Sequence, residues 1–335
     1  MDSPSENDLI EQVPKVFKVK LITYRILLFV LLRLPDVFYS VLFTVVFPIY
    51  KALHKKRAYG RVEKHLELAR EYIANKSPAS TNSTSNINCA PLQHTTARDV
   101  FKGIYWNALE SYHGLARFKS VEKRIVYENE HIIRDAIAKC AKANAPIAGI
   151  SIHQGAFELM HRSLCRYSEH VHLITDSVGD TAFRDVLKEL RSDKHLTEYH
   201  PDETGRLIRE LFRTKGILAM VIDQGKHTKG NTVSLFGRPS TLYLRLPQKV
   251  NEMGAGIVIF RTWSEKNRIV VRFEKYYPPN YDATIGCSAF SSSERTNFKT
   301  NSPLVTGIAH EIETWIAEHP EQWSWNYHGN FTVNH

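Results

Sequence analysis

The chain has 335 residues, with 44 Lys/Arg against 35 Asp/Glu and a formal net charge of +9. That length, with an apolar share of 43%, supports one large α/β domain or two modest ones around a buried core. The four cysteines, Cys89, Cys140, Cys165 and Cys287, form no Cys-x-x-Cys pair, which speaks against a disulfide scaffold or a cysteine zinc site and fits a reducing compartment.

The amino-terminal end is polar and acidic, so no secretory signal is expected. From Pro14 to Arg70 there are twelve Lys/Arg and three Asp/Glu, an excess equal to that of the whole chain. A basic region on a near-neutral body points to an acidic surface, anionic lipid or nucleic acid. Residues 21–50, "LITYRILLFVLLRLPDVFYSVLFTVVFPIY", favour lipid. The longest uncharged run, residues 37–50, would extend ~21 Å as a helix, short of the roughly 30 Å hydrocarbon core. Two helices broken near Pro35, lying in or dipping into one leaflet, fit better than a spanning helix. Lys15, Lys18 and Lys20 before them and Lys51, Lys55, Lys56 and Arg57 after them would meet headgroups. A buried helical pair in a soluble core is the alternative. Nucleic acid fits less well, because the basic residues bracket aliphatic runs.

Residues 62–74 read as a helix, and 75–90, rich in Ser, Asn and Thr, as a flexible loop. Helical spacing returns over 96–119 and 128–144. Strands are predicted at 146–152, 171–175, 216–222, 255–263 and 267–277, the last two as a hairpin. Helices are predicted at 157–167, 181–192, 203–215 and 304–319, with a surface loop over 280–303. The alternation predicts a layered α/β fold: a mixed, mostly parallel sheet flanked by helices, with an amino-terminal membrane-associated helical region. The domain reading is 1–74 for that region, 75–95 for a polar linker or insert, and 96–335 for the α/β domain.

The stretch "AGISIHQGAFELMHRSL", residues 148–164, starts as a strand and ends as a helix. His153 falls at the strand mouth, where ligand chemistry gathers in open α/β sheets. On one continuous helix His153 and Glu158 would stand ~140° apart. With Gln154-Gly155 as a turn, Glu158 reaches back to hold one imidazole nitrogen and leaves the other to take a proton from a hydroxyl. His161, His170 and His172 match no zinc motif, so no metal is expected.

These residues resemble the His-x4-Asp/Glu signature of the glycerolipid acyltransferase superfamily, and within it the bacterial lipid A biosynthesis lauroyl/myristoyl acyltransferases. The carriers are "HQGAFE" at 153–158, "VIDQGKHTKGNTVSLFGRPST" at 221–241 and "HPEQWSWNYHGNF" at 319–331, in family order. Gly225 departs from a second acidic residue after Asp-Gln, and Tyr327-His328-Gly329 from a basic run; both bear on the acceptor.

The resemblance implies transfer of an acyl chain from an acyl carrier protein or coenzyme A thioester to a hydroxyl of a membrane lipid, a lipid A precursor or related glycolipid. It implies no cofactor beyond the thioester co-substrate, and a place at the cytoplasmic face of the bacterial inner membrane. His153 would be general base and Glu158 its orienting partner. Asp223 and Gln224 would shape the site, and Lys226, Lys229 and Arg238 would meet acceptor phosphates or the acidic carrier protein. Trp323 and Trp325 read as core or interfacial aromatics and not as substrate contacts. A non-catalytic lipid-binding homologue and an acyl hydrolase using the same His-Glu pair are the other readings.

Overall fold

The computed structural model describes residues 15–75, 89–175, 180–224, 230–285 and 302–325. Most of the predicted polar loop at 75–90 and most of that at 280–303 lie outside them; the described start of the second holds a short helix, Tyr281–Ile285, where a loop was expected.

Two apolar helices open the described chain, α1 (Lys15–Leu31) and α2 (Asp36–His54), with Pro35 in the break between them. α3 follows at Gly60–Asn75 and α4 at Ala97–Ala116. α4 starts at a capping box: Asp99 N–H donates to the Thr96 hydroxyl, and the Asp99 carboxylate accepts from the Thr96 N–H.

The α/β part then runs β1 (Ile125–Glu128), α5 (Glu130–Lys142), β2 (Ile147–Ser151), α6 (Met160–Leu164), β3 (Val171–Ile174), α7 (Thr181–Arg191), β4 (Leu196–Tyr199), α8 (Thr204–Thr214) and β5 (Ile217–Val221). A two-stranded ribbon, β6 (Asn231–Leu235) and β7 (Arg238–Leu242), turns on Phe236-Gly237, both at positive φ. α9 (Arg245–Glu252), the hairpin β8 (Gly256–Glu265) and β9 (Arg268–Tyr277), and α10 (Pro303–Glu318) complete the order. β1, β4, the ribbon and α9 are additions to the predicted elements. Each is short, and the partly exposed edge strand Leu196–Tyr199 carries little apolar signal.

The seven-stranded sheet has the order β1-β9-β8-β2-β5-β3-β4, with all pairs parallel except β8–β9. Its central strands are apolar at successive positions, as burial on both faces demands. Side chains alternate between two cores: Ala148, Ile150, Leu218 and Ile257 face one, and Ile147, Ala219, Val258 and Phe260 the other. α10 packs into the first core, and α5 and α6 into the second. β2 and β5 lie side by side in the middle, with Ser151 opposite Val221, so their carboxyl ends finish level with each other. That register places the site.

Candidate active site

His153 and Asp223 each stand two residues beyond the paired Ser151 and Val221. The sheet therefore brings together residues seventy apart in sequence. His153 Nδ1–H donates to Asp223 Oδ1 at 2.6 Å, and the His153 backbone N–H lies 3.1 Å from both carboxylate oxygens. Trp323 Nε1–H donates to Asp223 Oδ2 at 2.9 Å. Asp223 is 1% exposed, so its charge is desolvated and held by donors on three sides of the carboxylate.

The turn between His153 and the next helix is fixed by the last described residues. Gly155 has φ +59°, and a Cβ there would lie 2.6 Å from the Thr262 carbonyl and from Trp263 Cα, so glycine is required twice over. Gln154 is fully buried; its amide donates to the Trp315 carbonyl, and its own carbonyl accepts from the Thr262 hydroxyl at 2.6 Å. Gly155 N–H donates to the Gln322 carbonyl. The "HQG" and "PEQWSW" stretches are thus two sides of one structure. Trp323 and Trp325 are core residues, as expected, and Trp323 has the added task of orienting Asp223.

The expected contact between Glu158 and His153 is corrected by this geometry. The carboxylate on His153 Nδ1 belongs to Asp223. Glu158 sits in the 3₁₀ turn Phe157–Leu159 and receives two hydrogen bonds from Arg191, at 2.7 and 2.8 Å. Burial alone would raise the Glu158 carboxyl, but the Arg191 guanidinium holds it below its ordinary range. Phe157, between the two, presents its ring to the His153 imidazole with centroids 4.5 Å apart. Arg191 comes from the end of α7 and also reaches Glu198 on β4 at 3.4 Å. No spacing rule pointed to it, because it lies 33 residues from Glu158.

His153 and Glu158 line a cavity of about 910 Å³, toward the upper end for small-molecule sites. Its apolar wall includes Ile104, Leu173, Leu187, Ile208, Met220 and Leu246; Ser111, His161 and Ser324 add polar points. Gln224 lines the cavity, as do Arg245 and Lys249 from α9, two cations the sequence reading did not single out. Arg238 opens β7 on the ribbon and is not among the lining residues. Lys226 and Lys229 lie outside the described residues. No group of three or more His, Cys, Asp or Glu suited to a metal ion occurs among the described residues.

A His–Asp pair at the carboxyl ends of adjacent parallel strands, its carboxylate buried and its imidazole lining a large and mostly apolar cavity, defines an α/β protein with a site suited to acid–base chemistry. The comparisons place it further. The family model of the bacterial lipid A biosynthesis acyltransferases matches residues 115–328, more than half of the chain, and the chain belongs to that family. A search of curated proteins finds no match.

Proposed function

We propose that the protein moves a fatty acyl chain from a thioester, on acyl carrier protein or coenzyme A, to a hydroxyl of a membrane lipid, a lipid A precursor or related glycolipid. The observation that carries this reading is His153, fixed by Asp223 at the mouth of an apolar cavity in a chain of this family. With its Nδ1–H committed to Asp223, His153 keeps a free electron pair on Nε2. Nε2 takes the proton of the acceptor hydroxyl as the oxygen attacks the thioester carbonyl. The tetrahedral intermediate expels the thiolate, which recovers the proton from the imidazolium. Asp223 stabilises that imidazolium, and the activated thioester supplies the driving force.

Glu158 and Arg191 form a separate pair that sets the cavity wall beside His153. Gln224 is placed to contact substrate from the wall. Lys226, Lys229 and Arg238 remain the proposed contacts for acceptor phosphates or the acidic carrier surface, joined by Arg245 and Lys249 at the cavity.

We place the protein at the cytoplasmic face of the inner membrane, a reading that α1 and α2 support as far as membrane attachment. A window of α2, Val37–His54, is long and apolar enough to cross a membrane, because the helix runs past the uncharged stretch to include Lys51 and His54. Its packing favours lying flat. Tyr39 Oη contacts His113 Nε2 at 2.9 Å, and Phe43 packs on Tyr105 and Phe47 on Phe101, one stripe docked along α4. α1 is held along α7 by Lys20–Asp180, Arg25–Glu189 and Tyr24–Phe183. Val41, Val45 and Ile49 of α2 and Ile22, Ile26 and Phe29 of α1 are exposed and would enter one leaflet.

The test is transfer from labelled acyl carrier protein to a bacterial lipid extract. His153→Ala should lower turnover by roughly 10²–10⁴ with fold and membrane binding kept. Retention of more than about a tenth of turnover removes His153 as the base. Free fatty acid as the product, in place of acylated lipid, replaces transfer with hydrolysis.

A further inference from the structure

Attack on a thioester puts negative charge on the carbonyl oxygen, and that oxygen needs a hydrogen-bond donor already fixed in place. The first three residues of the turn after β2 do not offer a backbone donor. The His153 N–H faces Asp223, the Gln154 N–H donates to the Ile152 carbonyl, and the Gly155 N–H donates to the Gln322 carbonyl.

The segment facing that turn carries a hydroxyl. Gln154 and Trp323 form an antiparallel bridge, and the bond from Gly155 to Gln322 lies one step to one side of it. One step to the other side, His153 falls opposite Ser324. Opposite residues of an antiparallel pair share a face, with Cβ atoms about 5 Å apart. The cavity wall follows this alternation: His153, Gly155, Gln322 and Ser324 line it, and Gln154 and Trp323 do not.

Ser324 is 5% exposed, and its buried Oγ has no hydrogen-bond partner among the described residues. Its neighbours hold it still. Trp323 Nε1–H donates to Asp223 at 2.9 Å, Trp325 Nε1–H donates to the Pro320 carbonyl at 2.7 Å, and the two indoles meet edge to face with centroids 5.0 Å apart. A buried hydroxyl left unpaired costs stability, and a fixed one facing the base is placed to donate to an atom that the substrate brings. It makes no hydrogen bond to His153, so the two are not arranged as nucleophile and base.

We propose that Ser324 is a further catalytic residue, whose hydroxyl donates a hydrogen bond to the thioester carbonyl oxygen as it becomes the oxyanion of the tetrahedral intermediate. The inference rests on the reading of the site as an acyl-thioester centre. As the acceptor oxygen bonds to the carbonyl carbon, the C=O electron pair moves onto the oxygen facing Ser324, and Ser324 keeps its proton. When C=O re-forms, the C–S bond breaks and the thiolate takes its proton from the His153 imidazolium.

The test compares full-length wild type, Ser324→Ala and Ser324→Thr in steady-state turnover of labelled acyl carrier protein with a bacterial lipid extract, alongside thermal melts. Loss of one oxyanion donor should lower the kcat of Ser324→Ala by roughly 10²–10³-fold. KM for the donor should stay within about threefold, because the bond strengthens only in the transition state. The Tm of Ser324→Ala should equal or exceed that of wild type, since an unpaired buried hydroxyl is removed. Ser324→Thr keeps a donor and should lose less kcat than Ser324→Ala. A kcat of Ser324→Ala within about threefold of wild type overturns the proposal, and so does a raised KM at unchanged kcat. Intact mass after acid quench of wild type with the acyl donor alone is a further check: an acyl adduct on Ser324 makes it a nucleophile and overturns the proposal. Thioester hydrolysis passes through the same kind of intermediate, so the comparison reads Ser324 whichever product forms. Free fatty acid as the product, with the kcat loss in Ser324→Ala, sinks the proposed transfer and leaves this inference standing. A transferring wild type whose Ser324→Ala variant keeps kcat sinks this inference alone, and a wild type that forms neither product sinks both.

Discussion

Asp223 and Glu158 both present a buried carboxylate near His153, but they serve different partners. Asp223 accepts hydrogen bonds from the His153 backbone, the His153 ring and the Trp323 indole, and these contacts cross the sheet and reach the end of the described chain. Glu158 meets a full positive charge, that of Arg191, and the pair ties the 3₁₀ turn to the end of α7. The first arrangement sets the tautomer of an acid–base group. The second balances charges that are largely removed from water. The residue nearer to His153 along the chain is therefore the one concerned with the wall, and the distant one controls the imidazole.

Substitutions that keep shape and remove charge should separate the two. The largest effect on chemistry is expected for Asp223→Asn. An amide has one accepting oxygen, whereas Asp223 is surrounded by donors, so the variant leaves a donor unpaired and favours the wrong imidazole tautomer. Turnover should fall roughly 10²–10⁴-fold, with a melting temperature lower by a few degrees for the unpaired donor. Turnover within a few-fold of wild type in the acyl-transfer assay would detach Asp223 from the mechanism.

Glu158→Gln should act first on stability. It leaves Arg191 beside a neutral amide with Glu198 at 3.4 Å still facing its charge, a loss of up to about 3 kcal/mol. Adding Arg191→Met to Glu158→Gln should recover part of that loss, because the guanidinium is then gone, while Glu198 gives up its 3.4 Å contact with it. Denaturant titration of the single and double variants decides it: a double variant no more stable than the single one would mean that Glu158 is not principally the partner of Arg191.

The smallest expected effect concerns histidines outside the pair. Burial lowers His161 to about 3 and His172 and His319 to about 4, each below the ordinary value of 6.5. In the unfolded chain these rings take up protons near pH 6.5, while the folded protein resists until about pH 4 or lower. The unfolded state therefore binds more protons in that window, and stability is full above about pH 6.5 and falls as pH drops toward 4. Thermal melts between pH 7 and 4.5 should show this decline, and His319→Phe, which keeps a ring against Trp263, should make it shallower. A flat profile in both proteins would show that these rings are not held neutral.

Much of the scaffold was legible because it repeats locally. Helical spacing marked α4, α5, α8 and α10, and β-branched runs marked β2, β5, β8 and β9, since periodicity reports which face of an element is buried. Pro35 with Asp36 marked the break between α1 and α2. The ribbon and β4 were missed because their strands are short and partly exposed. At the site, His153 and Gly155 were legible from the strand-to-turn pattern. Asp223 was visible as a strand-end residue, but not as the partner of His153. Arg191 and His161 gave no signal: one is an ordinary basic residue at a helix end, and the other an ordinary histidine until its burial and its unpaired nitrogen are known.

The amino-acid sequence by itself determined the longer helices and the central strands, the apolar amino-terminal pair, and the histidine at a strand mouth followed by a glycine turn, because each depends on neighbours within a few residues. Only the tertiary structure decided which carboxylate holds that histidine. Ser151 lies opposite Val221 through hydrogen bonds between two strands seventy residues apart, and that register carries Asp223 to His153. Glu158, five residues from the histidine, is turned by its 3₁₀ geometry toward a guanidinium supplied by another helix. Sequence distance does not encode which strands become neighbours, and it is the neighbouring strand that sets the electrostatics of the base.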